Sequence, residues 1–262
     1  RKRPLQKDTW REIAQARARL REEYYDWVVD SQGLLKSAWL ASRARGLKAG
    51  YDRSSVRESL ASLFYDHRIS VARDAHAIAR NRHLLAQALG YDNTTLPLDY
   101  GLGGLASRAD RLTPIVPVVL PTSYALFLHA TSRRDKEWEI QRWIALGHRM
   151  NALGTHVLLP WGSEREHANA EAIAAGLDHA LVLPRMGLNQ MAQVLSGAQA
   201  VIGVDTGLVH LAAALGRPTV ALYLTTAPGL TGVLAGESGA LACNLSLQQG
   251  DLTEDNIMLR LY

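Results

Sequence analysis

The sequence reads as an α/β protein in two domains, residues 1–112 and 113–262, the second a doubly wound parallel sheet. Three observations predict this. At 262 residues, with 47% hydrophobic and 21% charged side chains, the chain can bury two cores of ordinary size. From residue 124 onward, short runs of Val, Ile, Leu and Ala alternate with amphipathic segments of helical period, as βαβ units do. Glycines at 154, 176, 197 and 216 close those segments where a helix C-terminus takes a left-handed residue.

In chain order, Trp10, Ile13, Ala14, Leu20 and Tyr24 fall on one side of a helix, so the opening segment is expected to be amphipathic. Arg17 and Arg21 project from the same side, and their long stems can lie along apolar surface. "YDWVVD" reads as a strand, "SQG" as a tight turn and "LLKSAWLASRA" as a helix. A mostly helical stretch is expected from Ser54 to about Leu89, with Leu60, Leu63 and Phe64 on one face. The glycines, prolines and polar residues of 91–117 mark a connector, which sets the domain boundary near 112.

The second half is regular. Strand "YALFLHA" leads through "TSRRDK" to the helix "EWEIQRWIALGHRMNALG". Strand "THVLLP" leads through "WGSE" to "REHANAEAIAAG", and strand "ALVLP" leads to "LNQMAQVLSGA". Strand "AVIGV" leads to "GLVHLAAALG", and "PTVALYL" closes the series.

Composition excludes several classes. The single cysteine, Cys243, permits no internal disulfide and no multi-thiolate metal site, which fits a reducing cytoplasm. The most apolar stretch, "TPIVPVVLPTSYALFLHA", is cut by Pro114, Pro117 and Pro121 and is too broken to span a bilayer. Of the net charge of +4, all is local: residues 1–23 carry eight Lys/Arg against four Asp/Glu. That segment is either a solvated helix face or a surface for an anionic partner, phospholipid head groups or nucleic acid. It lacks aromatic interleaving or a nucleic-acid-binding motif, so nucleic acid is not expected.

In doubly wound sheets ligands bind beyond the carboxyl ends of the strands. Three clusters stand there: Thr131, Ser132 and Lys136; Glu164 and Glu166; and Asp205, Thr206, Gly207 and His210. The first amides of a helix lack internal partners and carry partial positive charge, so Thr206 and Gly207 could hold a phosphate. His210 follows Thr206 by one turn and faces the same side. Capping by Asp205 or Thr206, worth about 1 kcal/mol, is the plainer reading of that spacing. Two hydroxyls and Lys136 suit a second set of phosphate oxygens, although Arg133 and Arg134 also make the loop an ordinary solvated turn. Glu166 could accept ribose hydroxyls or complement a helix dipole, and Met186 could fill a core or touch a purine face. There is no GxGxxG and no Walker motif.

Taken together, "FLHATSRRDKEW", "LLPWGSERE", "LPRMGLNQMAQVLSGAQAVIGVDTGLVHLAAALGRPTVALY", "DSQGLLKSA" and "RESLASLFY" resemble the lipopolysaccharide heptosyltransferases of glycosyltransferase family 9. The resemblance covers most of residues 24–230 and is to the type that adds the first heptose of the inner core. It implies a GT-B architecture, two Rossmann-like domains across a cleft. The implied donor is ADP-heptose and the implied acceptor the Kdo residue of Kdo2-lipid A, at the cytoplasmic face of an anionic inner membrane. No cofactor or metal is implied.

Matched position by position, the resemblance puts Thr131, Ser132 and Lys136 at the donor diphosphate, Glu166 at the ribose and Met186 beside the adenine. Asp205, Thr206, Gly207 and His210 fall at the diphosphate and heptose. Asp205 would repel phosphate, so sugar hydroxyls are its expected partners. Lys136 and Asp205 are thus the expected catalytic pair. Gln32, Lys36, Arg57 and Glu58 stand in matching motifs of the first half, where Lys36 and Arg57 would grip the anionic acceptor or simply form helix salt bridges. The family's catalytic aspartate has no counterpart here, which places the general base upstream of residue 1. "TTAP" replaces the family's Gly-Pro turn. A sister enzyme with a heptose acceptor and a nucleotide-binding fragment without catalysis are the alternatives.

Overall fold

The computed structural model describes residues 7–102, 116–131, 133–236, 239–250 and 252–261. The chain divides into two compact units, Arg1–Leu96 and Pro97–Tyr262; the boundary expected near 112 lies outside the described residues.

The first unit runs α1 (Lys7–Glu22), β1 (Tyr24–Asp30), α2 (Leu35–Ala41), β2 (Arg45–Tyr51), a 3-10 turn (Ser59–Phe64), β3 (His67–Ile69) and α3 (Ala77–Leu89). Its three strands are parallel in the order β1-β2-β3. On α1, Ile13, Arg17 and Leu20 are half-buried at helical spacing while Ala14 is exposed. Tyr24 belongs to β1 and is 70% exposed, so it is not part of the helical stripe; the Trp10 side chain lies outside the described residues.

The helical stretch expected over 54–89 is corrected. Only Ala77–Leu89 is α-helical, and the periodic "SLASLF" is a 3-10 turn that shows Leu60, Leu63 and Phe64 to solvent and buries Ala61 and Ser62, with Tyr65 buried just after it. Three residues per turn place Leu60 above Leu63, and the fixed residue is Tyr65, held in the core of the unit. Strand β2 was not foreseen, because "RGLKAGY" has two glycines and no β-branched residue. It forms because partners flank it on both sides, and Gly50 leaves the space the Tyr65 ring fills: a Cβ there would overlap the ring.

The second unit contains β4 (Tyr124–Leu128), α4 (Ile140–Ala152), β5 (His156–Leu159), α5 (Glu164–Ala174), β6 (Ala180–Val182), α6 (Leu188–Gly197), β7 (Ala200–Val204), α7 (Gly207–Ala214), β8 (Thr219–Tyr223), α8 (Pro228–Thr231), β9 (Ala242–Ser246) and α9 (Glu254–Leu261). All six strands are parallel in the order β6-β5-β4-β7-β8-β9, the doubly wound arrangement the pattern predicted. Every residue of β4, β7 and β8 is buried. Alternation sends Ala125, Phe127, Ile202 and Val204 into the core beneath α4, α5 and α9, and Leu126, Leu128 and Val201 into the core beneath α6 and α7.

"PTVALYL" does not close the series. β9 adds a sixth strand, and its mid-strand Asn244, which reads as a loop residue, has its amide satisfied by Val233 N at 2.8 Å and Val233 O at 3.0 Å. Of the four helix-ending glycines, Gly154 and Gly216 are left-handed, with φ of 73° and 72°. Gly176 and Gly197 are not. They are small for packing: a Cβ at Gly176 would meet Ile144 at 2.8 Å, and one at Gly197 would overlap the Tyr124 hydroxyl.

Candidate functional site

Strands β4 and β7 are neighbours at the centre of the sheet, and their connections lead away in opposite directions, to β5 and to β8. Such a switch point leaves a crevice between the two loops beyond the strands. Thr131, just past β4, is buried, and its hydroxyl donates to the Asp205 carbonyl at 3.1 Å. The chain then makes a 3-10 turn, Arg134–Lys136, that carries Lys136 back toward β7. Its ammonium donates to Asp205 Oδ2 at 2.6 Å, with the two side chains only 16% and 17% exposed. Shielded from water, the pair resists loss of either partner alone, because that would leave the other charge uncompensated.

A third group converges there that the sequence did not reveal. Thr226, past the end of β8, donates to the same oxygen at 3.0 Å. Asp205 Oδ1 accepts no hydrogen bond among the described residues. The nearby Tyr223 phenol is pushed well above its ordinary range by burial and then by the Asp205 charge, so it stays neutral. Ser132 lies outside the described residues, while Arg133 and Asp135 pair with each other at the surface.

Helix α7 begins at this point. Its N-cap, Thr206, has extended backbone and makes no side-chain hydrogen bond to the helix, and the Asp205 carboxylate is turned to Lys136 and Thr226. The side-chain cap that was the plainer reading of this junction is therefore not formed. A Cβ at Gly207 would meet no described residue within 4 Å, so packing among the described residues does not demand a glycine here. His210 is half-buried one turn further on. An anionic oxygen placed there would meet amides with partial positive charge.

Glu166 and Met186 lie on the loops of the adjoining strands. Glu166 is the third residue of α5. Its Oε2 accepts from Gly162 N at 2.8 Å and its own N–H donates to Ser163 Oγ at 3.4 Å, so Ser163 caps the helix and Glu166 ties the preceding loop to its first turn. Its carbonyl accepts from His129 Nε2 at 3.1 Å, provided that nitrogen carries the proton; burial holds this imidazole's pKa below the usual value. Glu164 is exposed. Trp161 Nε1 donates to Leu183 O at 2.7 Å, tying the β5 loop to the end of β6, and Met186 is half-buried against the core on the α6–α7 side. No hydrogen bond or ion pair joins Glu166 to Lys136 or Asp205. Among the described residues no group of three or more His, Cys, Asp or Glu is arranged to hold a metal ion.

The first unit has a comparable junction. Asp30, 5% exposed at the end of β1, accepts from Gln32 N at 2.9 Å, Gly33 N at 3.2 Å, Ser37 Oγ at 2.8 Å and the Tyr65 hydroxyl at 2.7 Å. Glu58 Oε2 accepts from Leu35 N at 2.6 Å, and Glu58 N donates to Gly33 O at 3.1 Å. Glu58 thus closes the start of α2. Gln32 and Lys36 line a groove with Ile13, Leu20 and Trp39. Lys36 and Arg57 are exposed and form no ion pair among the described residues, so the helix salt bridges weighed for them are not present.

The sequence profile of glycosyltransferase family 9 (heptosyltransferase) matches residues 13–257. Lipopolysaccharide heptosyltransferase 1 of Salmonella typhimurium is 45% identical over 209 residues, which are 79% of this chain and 64% of that protein. The chain thus spans a little under two thirds of that relative's length. Among solved structures, E. coli heptosyltransferase WaaC with ADP superposes with a TM-score of 0.83 at 38% identity, over 97% of this chain and 78% of that one. The form described with ADP-2-deoxy-2-fluoro heptose gives 0.80 at 36% identity, over 97% and 77%. These matches bear out the GT-B type α/β class expected from the sequence. With a profile match running through both units and a relative of 45% identity, the chain belongs to glycosyltransferase family 9, the heptosyltransferases.

Proposed function

We propose that this chain serves inverting transfer of L-glycero-D-manno-heptose from ADP-heptose to the Kdo residue of Kdo2-lipid A. The observation that carries the donor half is the convergence of Thr131, Lys136 and Asp205 at the switch point, beside the N-terminus of α7, which no Asp205 or Thr206 side chain caps. The solved relatives described with ADP and with an ADP-heptose analogue support the same choice of donor.

In this reading the amides of Thr206 and Gly207 and the Lys136 ammonium take the diphosphate, Asp205 Oδ1 takes a sugar hydroxyl, Glu166 the ribose and Met186 the adenine. The acceptor oxygen bonds to the anomeric carbon as the bond from that carbon to the diphosphate oxygen breaks. ADP leaves on the opposite face and the acceptor proton passes to a base. Lys136 and the amides stabilise the charge that grows on the departing diphosphate, fixed donors being most effective where water is excluded. Lys36 and Arg57, exposed and unpaired, are the cations for an anionic acceptor. No helix among the described residues is long and apolar enough to cross a membrane. Contact with the anionic cytoplasmic face of the inner membrane is assigned to the basic face of α1.

Thermal unfolding with nucleotides tests the donor assignment. A ligand at about 100 times its Kd stabilises the folded state by about 2.7 kcal/mol, so ADP is expected to raise the Tm and UDP to leave it near the ligand-free value. A shift with UDP and none with millimolar ADP overturns the donor.

A further inference from the structure

We propose that Thr226 is a positioning residue that retains the Asp205 carboxylate when Lys136 leaves it for the diphosphate. The inference rests on the donor reading above. The Lys136 ammonium is paired with Asp205 at 2.6 Å, and the two charges largely cancel. An arriving diphosphate gains from Lys136 only if the ammonium turns toward it. That movement would strip a carboxylate that is 17% exposed of its countercharge, a costly state when nothing else holds the oxygen.

Thr226 is placed to prevent it. Its hydroxyl donates to the same Oδ2 at 3.0 Å, so the oxygen keeps a donor after Lys136 departs. Thr131 cannot substitute, because its hydroxyl is bound to the Asp205 main-chain carbonyl. The two holds also come from opposite sides. Lys136 arrives on the loop after β4, whose Arg133 and Arg134 are exposed. Thr226 follows β8, which is hydrogen-bonded to β7 and accepts the Asp205 N–H at Leu222 O, 3.2 Å. On the β8 side Asp205 is tied by strand pairing as well as by Thr226, whereas Lys136 reaches it only through the end of a long side chain. Because both donors use Oδ2, Oδ1 remains presented to a sugar hydroxyl throughout the exchange.

The test uses the full chain with Thr226→Val, which keeps the volume and removes the hydroxyl, and Thr226→Ser, which restores it. ADP titration calorimetry is expected to show affinity about tenfold weaker for Thr226→Val and within about twofold of the parent for Thr226→Ser. Affinity of Thr226→Val within about twofold of the parent, or Thr226→Ser as weak as Thr226→Val, overturns the proposal. A second measurement needs no nucleotide. In a Lys136→Met background Asp205 depends on Thr226 alone, so Thr226→Val is expected to lower the Tm by about 2–4 °C more there than in the parent. An equal drop in both backgrounds overturns the proposal. A parent chain that ignores ADP counts against the donor reading, and the thermal cycle then decides the role of Thr226 by itself.

Discussion

At the end of β1, Asp30 is buried and its carboxylate binds two loop amides, Ser37 and Tyr65. At the end of β7, Asp205 is held through one oxygen by Lys136 and Thr226, and the helix that follows is capped by neither Asp205 nor Thr206. In sequence the two places look alike: a Val-rich strand, an aspartate, a glycine within three residues, a helix. They differ in where the partners come from. Asp30 is satisfied by its own turn and by one tyrosine, so the junction closes on itself and its amides are used. Asp205 is satisfied by side chains from two other loops, so it does not cap the helix that follows, and the proposed reading gives those amides to the diphosphate. Asp30 consumes the local N–H groups, whereas Asp205 is drawn away from them, and the donor site proposed above rests on that difference.

Five substitutions break or sharpen this contrast. The largest expected effect is Asp30→Ala, which leaves the Tyr65 hydroxyl and two amides without their acceptor. A loss of about 3–5 kcal/mol in denaturant unfolding is expected, with ADP affinity per folded molecule unchanged. A loss below about 1 kcal/mol would make the two junctions equivalent in stability. Next is Lys136→Ala. Losing a charge contact to the leaving diphosphate should lower heptose transfer by about 10²–10³-fold in a steady-state assay of the enzyme, and a change within about twofold would remove Lys136 from that role.

Third, Gly207→Ala should leave the Tm unchanged, since its Cβ meets no described residue within 4 Å, yet weaken ADP about tenfold by blocking close approach. Gly33→Ala should do the reverse, because Gly33 has φ of 63° and its Cβ would meet Val56 at 2.8 Å. The smallest effect is expected for Glu166→Ala, about 1 kcal/mol of stability from the lost hydrogen bond to the loop, with a modest loss of ADP affinity from the lost ribose contact. An unchanged affinity would leave Glu166 a tie between loop and helix and nothing more.

Much of the second unit was legible because its strands are buried on both faces and so appear as unbroken apolar runs: "YALFL", "AVIGV" and "TVALY" each coincide with a strand. β2 and β9 were not, for both are specified by neighbours more than by propensity; Gly50 makes sense only beside Tyr65, and Asn244 only beside Val233. In the stretch read as helical over 54–89, apolar spacing misled because Leu60, Leu63 and Phe64 face solvent. At the site, looking beyond strand ends found Thr131, Lys136 and Asp205, which do meet. It passed over Thr226, 21 residues from its partner, although the same rule applied to β8 points to it. Asp30 was hidden for the opposite reason: no spacing in the sequence announces a hydroxyl arriving from Tyr65.

The Tyr65 ring occupies the place a side chain at position 50 would take, and its hydroxyl latches Asp30. Three positions, in β1, in β2 and after the 3-10 turn, are therefore bound to one another's history. Any side chain at 50 must evict the ring, and an evicted ring unlatches the aspartate. Drift at one of them can succeed only after the others have changed, so among descendants of this chain these sites should vary as a set, in a fixed order, or not at all.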